Sequence, residues 1–312
     1  MSRRADLPHY LPAALIGGFG IPNPRRKGAR YASVCMRRRA TPDVVVGPLP
    51  AERIGAEYGV YDVDRPDQDL PGDFAEILWQ AYESDLPSAA AALESGLCQR
   101  DDWLTILLHI QAQSIRHPDF ARVATEHLTG AGRDAPDRDE VQRQRQRTHL
   151  ESRALLSQAR FAVIRRSKNA RRFLLNDKGY VSVGDVALGT RGVLFPLTGN
   201  VAVLMAVSEA VPGDDFEAGP LAERALNVRG MDIINGSTWE LNGITCVIGH
   251  PDDAPWIGEL EDGDRTVKMP PLGPYAGSRE GGMLDWALTP DQVRQRHRKY
   301  VLGGSVSPFA TM

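Results

Sequence analysis

The hydrophobic pattern divides the chain into a strand-and-loop start, a helical middle and a strand-rich second half. After a Pro- and Gly-rich entry, Tyr31 to Arg39 alternates as a strand does, and Pro42 to Pro50 reads as an extended connection. From Asp73 the period lengthens: Phe74, Ile77, Leu78 and Ala81 recur at spacings of 3, 1 and 3, as one buried helical stripe requires. Pro87 limits or kinks that helix, and Ala89 to Leu93 forms a second helical piece. Asp101 or Asp102 is the expected N-cap of the apolar run that begins at Trp103. His117-Pro118 is expected to end that helix, because the residue before a proline is pushed out of helical backbone space. Residues 119–129 predict another helix, 130–136 a loop, and Asp137 to Leu156 a polar helix whose Arg and Glu side chains are expected to face water.

Beyond Ala159 the period shortens again. Phe161–Arg165, Arg172–Leu175, Tyr180–Val183, Val193–Pro196 and Val201–Val207 are rich in β-branched and aromatic residues and predict strands. Leu221 to Val228 reads as a helix, and Thr238 to Ile248 as a broken strand or hairpin around Asn242-Gly243. The stretch after Pro251 reads as mostly loop. With no internal repeat and no long linker, the pattern predicts one α+β domain over residues 1–312, a central helical layer packed on a mostly antiparallel sheet, with 250–312 as a loop-rich C-terminal extension.

Composition narrows the class. At 42% hydrophobic and 25% charged residues, a folded globular chain is expected rather than a disordered one. The apolar run Trp103 to Ile110 is interrupted by Thr105 and His109 and falls far short of the roughly 20 residues that cross a bilayer. Pro12 interrupts the short apolar stretch Leu11 to Ile16 and no small-residue cleavage pattern follows it, so the expectation is cytoplasmic residence with no membrane partner. Cys35, Cys98 and Cys246 lie far apart, outside any C-x-x-C pair, and read as small buried apolar residues. The charge is uneven. Residues 1–40 hold nine basic side chains against Asp6 alone, and a second tract holds Arg153, Arg160, Arg165, Arg166, Lys168, Arg171 and Arg172 with no acid among them. Two such tracts can attract a polyanion, although the excess of Arg over Lys throughout the chain also follows from GC-rich coding, and Arg stems also pack over apolar surface.

Candidate chemistry centres on the helix beginning near Trp103. His109, Gln113 and Arg116 stand at i, i+4 and i+7 and form a polar stripe on an apolar segment. Arg116 stays charged and needs a carboxylate or an anionic ligand opposite it, for which Glu83 and Asp177 are the candidates. The stripe is open to two readings: a buried polar network between helix and sheet, or an anion clamp. His9, flanked by Tyr10 and two prolines, is either held by a backbone carbonyl or available for acid–base work or metal ligation. Asp177, at a strand end before Lys178-Gly179, is either an Asx-turn acceptor or a catalytic or metal-binding carboxylate. Gly17-Gly18-x-Gly20 lacks the continuation of a dinucleotide loop, and no P-loop, H-E-x-x-H or G-x-S-x-G motif occurs.

Several of these residues, in their order, resemble a bacterial family of unknown function, domain of unknown function 4238. The matching segments are His9-Tyr10-Leu11-Pro12, Ala56-Glu57-Tyr58-Gly59-Val60-Tyr61-Asp62, Glu83, Gln113-Ser114-Ile115-Arg116, Phe173-Leu174-Leu175-Asn176-Asp177, Phe195-Pro196-Leu197-Thr198 and Asn227. Asn176 stands where the family usually has Ser, and Gly179 where it has Pro. The resemblance covers residues 9–235 and implies a shared fold, with no activity to carry over. Expectation therefore centres on a site of His9, Arg116 and Asp177 as catalytic groups, with Glu83, Gln113 and Arg116 contacting substrate. Its target would be a nucleic acid or another phosphate-bearing molecule and its chemistry hydrolytic, with a divalent metal as candidate cofactor. The alternatives are a non-catalytic binding or regulatory module, and a small-molecule enzyme of specialised metabolism.

Overall fold

A computed structural model describes residues 8–261 except 131, 133, 186–189, 208–218, 221 and 242. Helix α1 (Ala13–Gly17) leads to β1 (Ser33–Arg38) and β2 (Thr41–Pro50); five helices follow, α2 (Phe74–Gln80), α3 (Leu86–Ser95), α4 (Arg100–Arg116), α5 (Phe120–Gly130) and α6 (Arg138–Gln158). Next come β3 (Ala159–Arg166), β4 (Leu175–Asn176), β5 (Val181–Asp185), β6 (Thr190–Pro196), β7 (Val201–Val207) and β8 (Ala222–Leu226), then α7 (Val228–Glu240), β9 (Cys246–Gly249) and α8 (Ala254–Gly258). The fold is α+β, as the pattern predicts.

The strands build two sheets rather than one. A four-stranded antiparallel sheet has the order β2-β1-β9-β4, and a five-stranded sheet the order β5-β6-β7-β3-β8, antiparallel except for the parallel pair β3 and β8. Strand β9 lies between β1 and β4, so the first strand of the chain and the last described one are hydrogen-bonded neighbours. The packed core accordingly runs past residue 235: Ile257 is fully buried against Cys35, Leu174, Trp239 and Val247. Residues 262–312 of the expected loop-rich extension lie outside the described residues, as do Arg3, Arg4 and Asp6.

Helix α4 anchors the larger core. Trp103, Ile106, Leu107 and Ile110 are buried on one face, and α3 and α6 pack against it. Its cap is Gln99, whose side chain accepts from the third-residue amide while Asp102 reaches back to the Gln99 N–H at 2.9 Å, so Asp102 serves three residues inside the helix rather than as N-cap. Pro87 does not kink α2; it occupies the first turn of α3, where the missing N–H costs nothing.

Three segments depart from the pattern. Residues 42–50 form a paired strand instead of a connection, with their prolines tolerated because β2 is a sheet edge. Residues 222–226 carry helix-forming side chains yet pair with β3, where neighbouring strands override local propensity. The expected hairpin over 238–248 is divided between the end of α7 and β9, and Asn242 lies outside the described residues. Helix α7 holds Gly230 and Gly236, which hide it from propensity, but Met231, Ile234, Thr238 and Trp239 are buried at helical spacing. Asn227 caps it by accepting from the Gly230 N–H at 2.8 Å. Asn235 ties it inward, accepting from the Leu174 N–H at 3.0 Å and donating to the Arg172 carbonyl at 2.9 Å.

Candidate functional site

His109, Gln113 and Arg116 do form a stripe on α4, and all three are buried. Arg116, at 1% exposure, is the centre of the network. Its Nε donates to the Tyr10 carbonyl at 3.2 Å, its Nη2 to the His9 carbonyl at 2.5 Å and its Nη1 to the Tyr82 hydroxyl at 2.6 Å. The Glu83 Oε1 lies 2.5 Å from Nη1 as an ion contact without hydrogen-bond alignment, and the Trp79 ring stacks on the guanidinium at 4.4 Å. Burial works against the charge, yet Tyr82, Glu83 and Tyr61 together hold the Arg116 pKa above the ordinary guanidinium value. Of the two candidate partners, Glu83 pairs with Arg116. Asp177 faces elsewhere.

Asp177 is buried just past β4, and its Oδ2 accepts from the Thr245 N–H at 2.8 Å and the Thr245 hydroxyl at 2.6 Å. The Asx turn here belongs to its neighbour: Asn176 Oδ1 accepts from the Lys178 N–H at 3.1 Å. Gly179 closes the turn at φ +75°, which proline, the family's usual residue here, cannot adopt and other L residues rarely do, and a Cβ there would displace the Gln113 amide, whose Nε2 it would approach to 1.9 Å. His117, at the end of α4, brings its Nε2 to 3.5 Å from Asp177 Oδ2. Its Nδ1 accepts from the Asp119 N–H at 3.1 Å. The Tyr10 ring meets His117 edge-on at 5.5 Å. Glu83, Arg116, the His9-Tyr10 backbone, His117 and Asp177 thus form one continuous chain of contacts around the end of α4.

Some polar atoms in this region carry no partner. Asp177 Oδ1, Gln113 Oε1, His9 Nδ1 and both ring nitrogens of His109 are buried without hydrogen bonds. Burial, with Arg116 adding to it, lowers the His109 pKa to about 3, so this core histidine is neutral. Burial also lowers His9, offset in part by a hydrogen bond with the Ile54 backbone. Among the described residues no group of three His, Cys, Asp or Glu side chains is placed to hold a metal ion.

Some members of the basic tracts are engaged within the fold, while Arg25, Lys27, Arg30, Arg38 and Lys168 are exposed. Arg165 pairs with Glu223 and donates to the carbonyls of Leu93 and Glu94; Arg166 reaches Asn200, Arg171 lies 3.6 Å from Asp232, and Arg172 is 3.0 Å from Asp253. In the first tract, Arg37 and Arg39 stack on Trp239, and Arg26 pairs with Glu52. Gly17 and Gly20 serve close backbone packing: a Cβ would meet the Ala29 carbonyl oxygen at 1.8 Å and that of Ser33 at 2.4 Å.

No protein-family model, curated protein or solved structure matches this chain.

A cavity of about 340 Å³ lies between the 57–60 turn, α5 and α6, with Val60, Pro118, Ala121 and Val141 on its walls. None of His9, Glu83, Gln113, Arg116 or Asp177 lines it. Arg145, at 1% exposure, does. The expectation that the Arg and Glu side chains of α6 face water thus fails for Arg145, which is buried together with Asp139 and Gln142. Asp139 accepts from the amides of Asp64 and Arg65 at 2.7 and 3.1 Å, and Gln142 donates to the Val60 carbonyl at 3.0 Å, so α6 fixes the loop before α2. His117, Thr245 and Arg145 are the residues that sequence reasoning passed over. A signal existed for Arg145: Val141 is the one apolar residue in 138–149, and Arg145 stands one helical turn beyond it on the same face.

No helix among the described residues is long and apolar enough to cross a membrane.

Proposed function

We propose that the protein is a non-catalytic binding module, in which the polar stripe of α4 locks the start of the chain and the turn after β4 to the helical layer. One observation carries the reading: each of the three nitrogens of Arg116 donates to an oxygen of the fold itself and the Glu83 carboxylate lies against Nη1, so no nitrogen of this guanidinium lacks a partner within the chain. A buried arginine satisfied by its own chain fixes geometry; a clamp has to keep donors for its ligand.

Thermal unfolding of Arg116→Ala beside the wild type tests this. Arg116→Ala leaves the Tyr82 hydroxyl and the His9 and Tyr10 carbonyls without their donor, at about 1 to 3 kcal/mol for each buried group left unsatisfied, and a total loss of about 3 to 5 kcal/mol is the expected result. Unchanged or raised stability would mean that the stripe is held for a ligand, since functional groups are often neutral or stabilising to remove.

The phosphate-directed hydrolase remains a second reading on one observation, the unpartnered buried atoms Asp177 Oδ1, Gln113 Oε1 and His9 Nδ1. A substrate or an ordered water would satisfy them. Turnover of a phosphodiester by the wild type, abolished in Asp177→Asn, would establish it over the binding module.

A further inference from the structure

Arg145 is a buried cation without a counter-ion among the described residues. Its Nε donates to Gln142 Oε1 at 3.1 Å and its Nη1 to the Ile115 carbonyl; the rings of Tyr61 and Phe120 lie 5.1 and 4.7 Å from the guanidinium. No carboxylate pairs with it among the described residues. Burial pulls its pKa down to about 10, with only Tyr61 opposing, the reverse of what Arg116 experiences. Five N–H groups belong to a guanidinium. Two are engaged, and Nη2 together with the second N–H of Nη1 has no acceptor among the described residues, on a residue that lines the cavity. Two adjacent N–H groups are what a carboxylate takes in bidentate fashion.

We propose that this cavity binds a small monocarboxylate with an apolar body, its carboxylate paired with Arg145. The volume of about 340 Å³ lies in the range of small-molecule sites. Val60, Pro118, Ala121 and Val141 supply the apolar walls. Charge selects the ligand. The other lining cation, Arg138, is paired with Asp64 at 2.7 Å, so one uncompensated positive charge, Arg145, is balanced by one negative charge, and exposed Glu57 and Asp137 on the lining repel a second, which disfavours a dianion such as a phosphate monoester. Asp137 is held back from Arg145 by its own ion pair with Arg65 at 2.5 Å. The proposal names the ligand class of the binding module and rests on that reading only in taking the protein to bind rather than transform.

The test is a titration of the full chain with benzoate at constant ionic strength, followed by calorimetry and by the Nε–H resonance of Arg145, with benzyl alcohol and inorganic phosphate as comparators. Benzoate is expected to saturate a single site, benzyl alcohol to bind weakly, phosphate not to compete, and Arg145→Met to weaken benzoate about tenfold or more, as loss of a charge-assisted hydrogen bond does. Should Arg145→Met not fold, Ala121→Trp keeps the arginine and fills the cavity from its wall, and it too is expected to abolish binding. No saturation, equal binding of benzyl alcohol, tighter binding of phosphate, or unchanged affinity in a folded variant would each overturn the proposal. Its failure is separable from failure of the lock, because Arg116→Ala is read by unfolding and benzoate by titration.

Discussion

Arg116 and Arg145 are equally buried, at 1% exposure each, and both stack on aromatic rings, yet their surroundings treat the charge in opposite ways. Arg116 meets the Glu83 carboxylate, a tyrosine hydroxyl and two backbone carbonyls, and its pKa is held up. Arg145 meets one amide and one carbonyl, and its pKa is pulled down to about 10. Burial is therefore a poor guide to what a charged side chain is for. Its satisfaction separates a lock from a vacancy in charge, because an ion removed from water is stable only when the protein returns most of its lost solvation.

The comparison can be broken experimentally, and the largest expected effect comes from the two arginines taken as a pair. Against the loss of about 3 to 5 kcal/mol expected for Arg116→Ala, Arg145→Met should be neutral or stabilising, since an apolar stem of similar length removes an unpaired buried charge. Equal losses in urea unfolding of the two variants would erase the distinction.

Acid provides the next test. The unfolded His109 ring takes up a proton below about 6.5, whereas the folded ring stays neutral until the pH nears about 3. Its depressed folded pKa makes the unfolded state bind more protons in that window, so stability is full above pH 6.5 and declines as the pH falls to about 3. His109→Leu removes this limb and two unpartnered ring nitrogens, and at neutral pH it should be neutral or stabilising by about 1 kcal/mol. A parallel acid limb in the variant would show that another group governs it. Asp177→Ala should cost about 1 to 3 kcal/mol by leaving the Thr245 amide and hydroxyl unpaired, measured by thermal unfolding. The smallest effect belongs to Glu83→Gln: its side chain is 35% exposed, solvent screens the ion pair, and a loss of about 1 kcal/mol or less is expected in the same measurement. A larger loss would make Glu83 the dominant support of Arg116.

The helical stripe was legible because α4 repeats its apolar positions at helical spacing, and three polar residues on one face of such a helix demand partners, whether from the fold or from a ligand. The partner of Arg116 was narrowed to Glu83 or Asp177 from residue type alone, but the choice between them was not. Both are single carboxylates far away in sequence, and only the tertiary placement of the turn between α2 and α3 beside the end of α4 brings Glu83 to 2.5 Å. His117 was visible as a helix stop, and its contact with Asp177 was not, because the turn after β4 reaches it only once β4 has paired with β9. Arg145 shows the converse difficulty: amid a run of arginines and glutamines, nothing but the single apolar neighbour Val141 marks the face that turns inward.

By itself the sequence determined the class of fold, the order of most helices and strands, and the residues whose burial would demand partners, because these follow from periodicity, capping and the chemistry of each side chain, all local quantities. Which sheet each strand joined, that 222–226 is a strand, that β9 sits between β1 and β4, and which arginine is satisfied were decided by tertiary structure alone. Strand pairing and charge compensation are contacts between residues distant along the chain, and their free energy exists only when the core has brought them together.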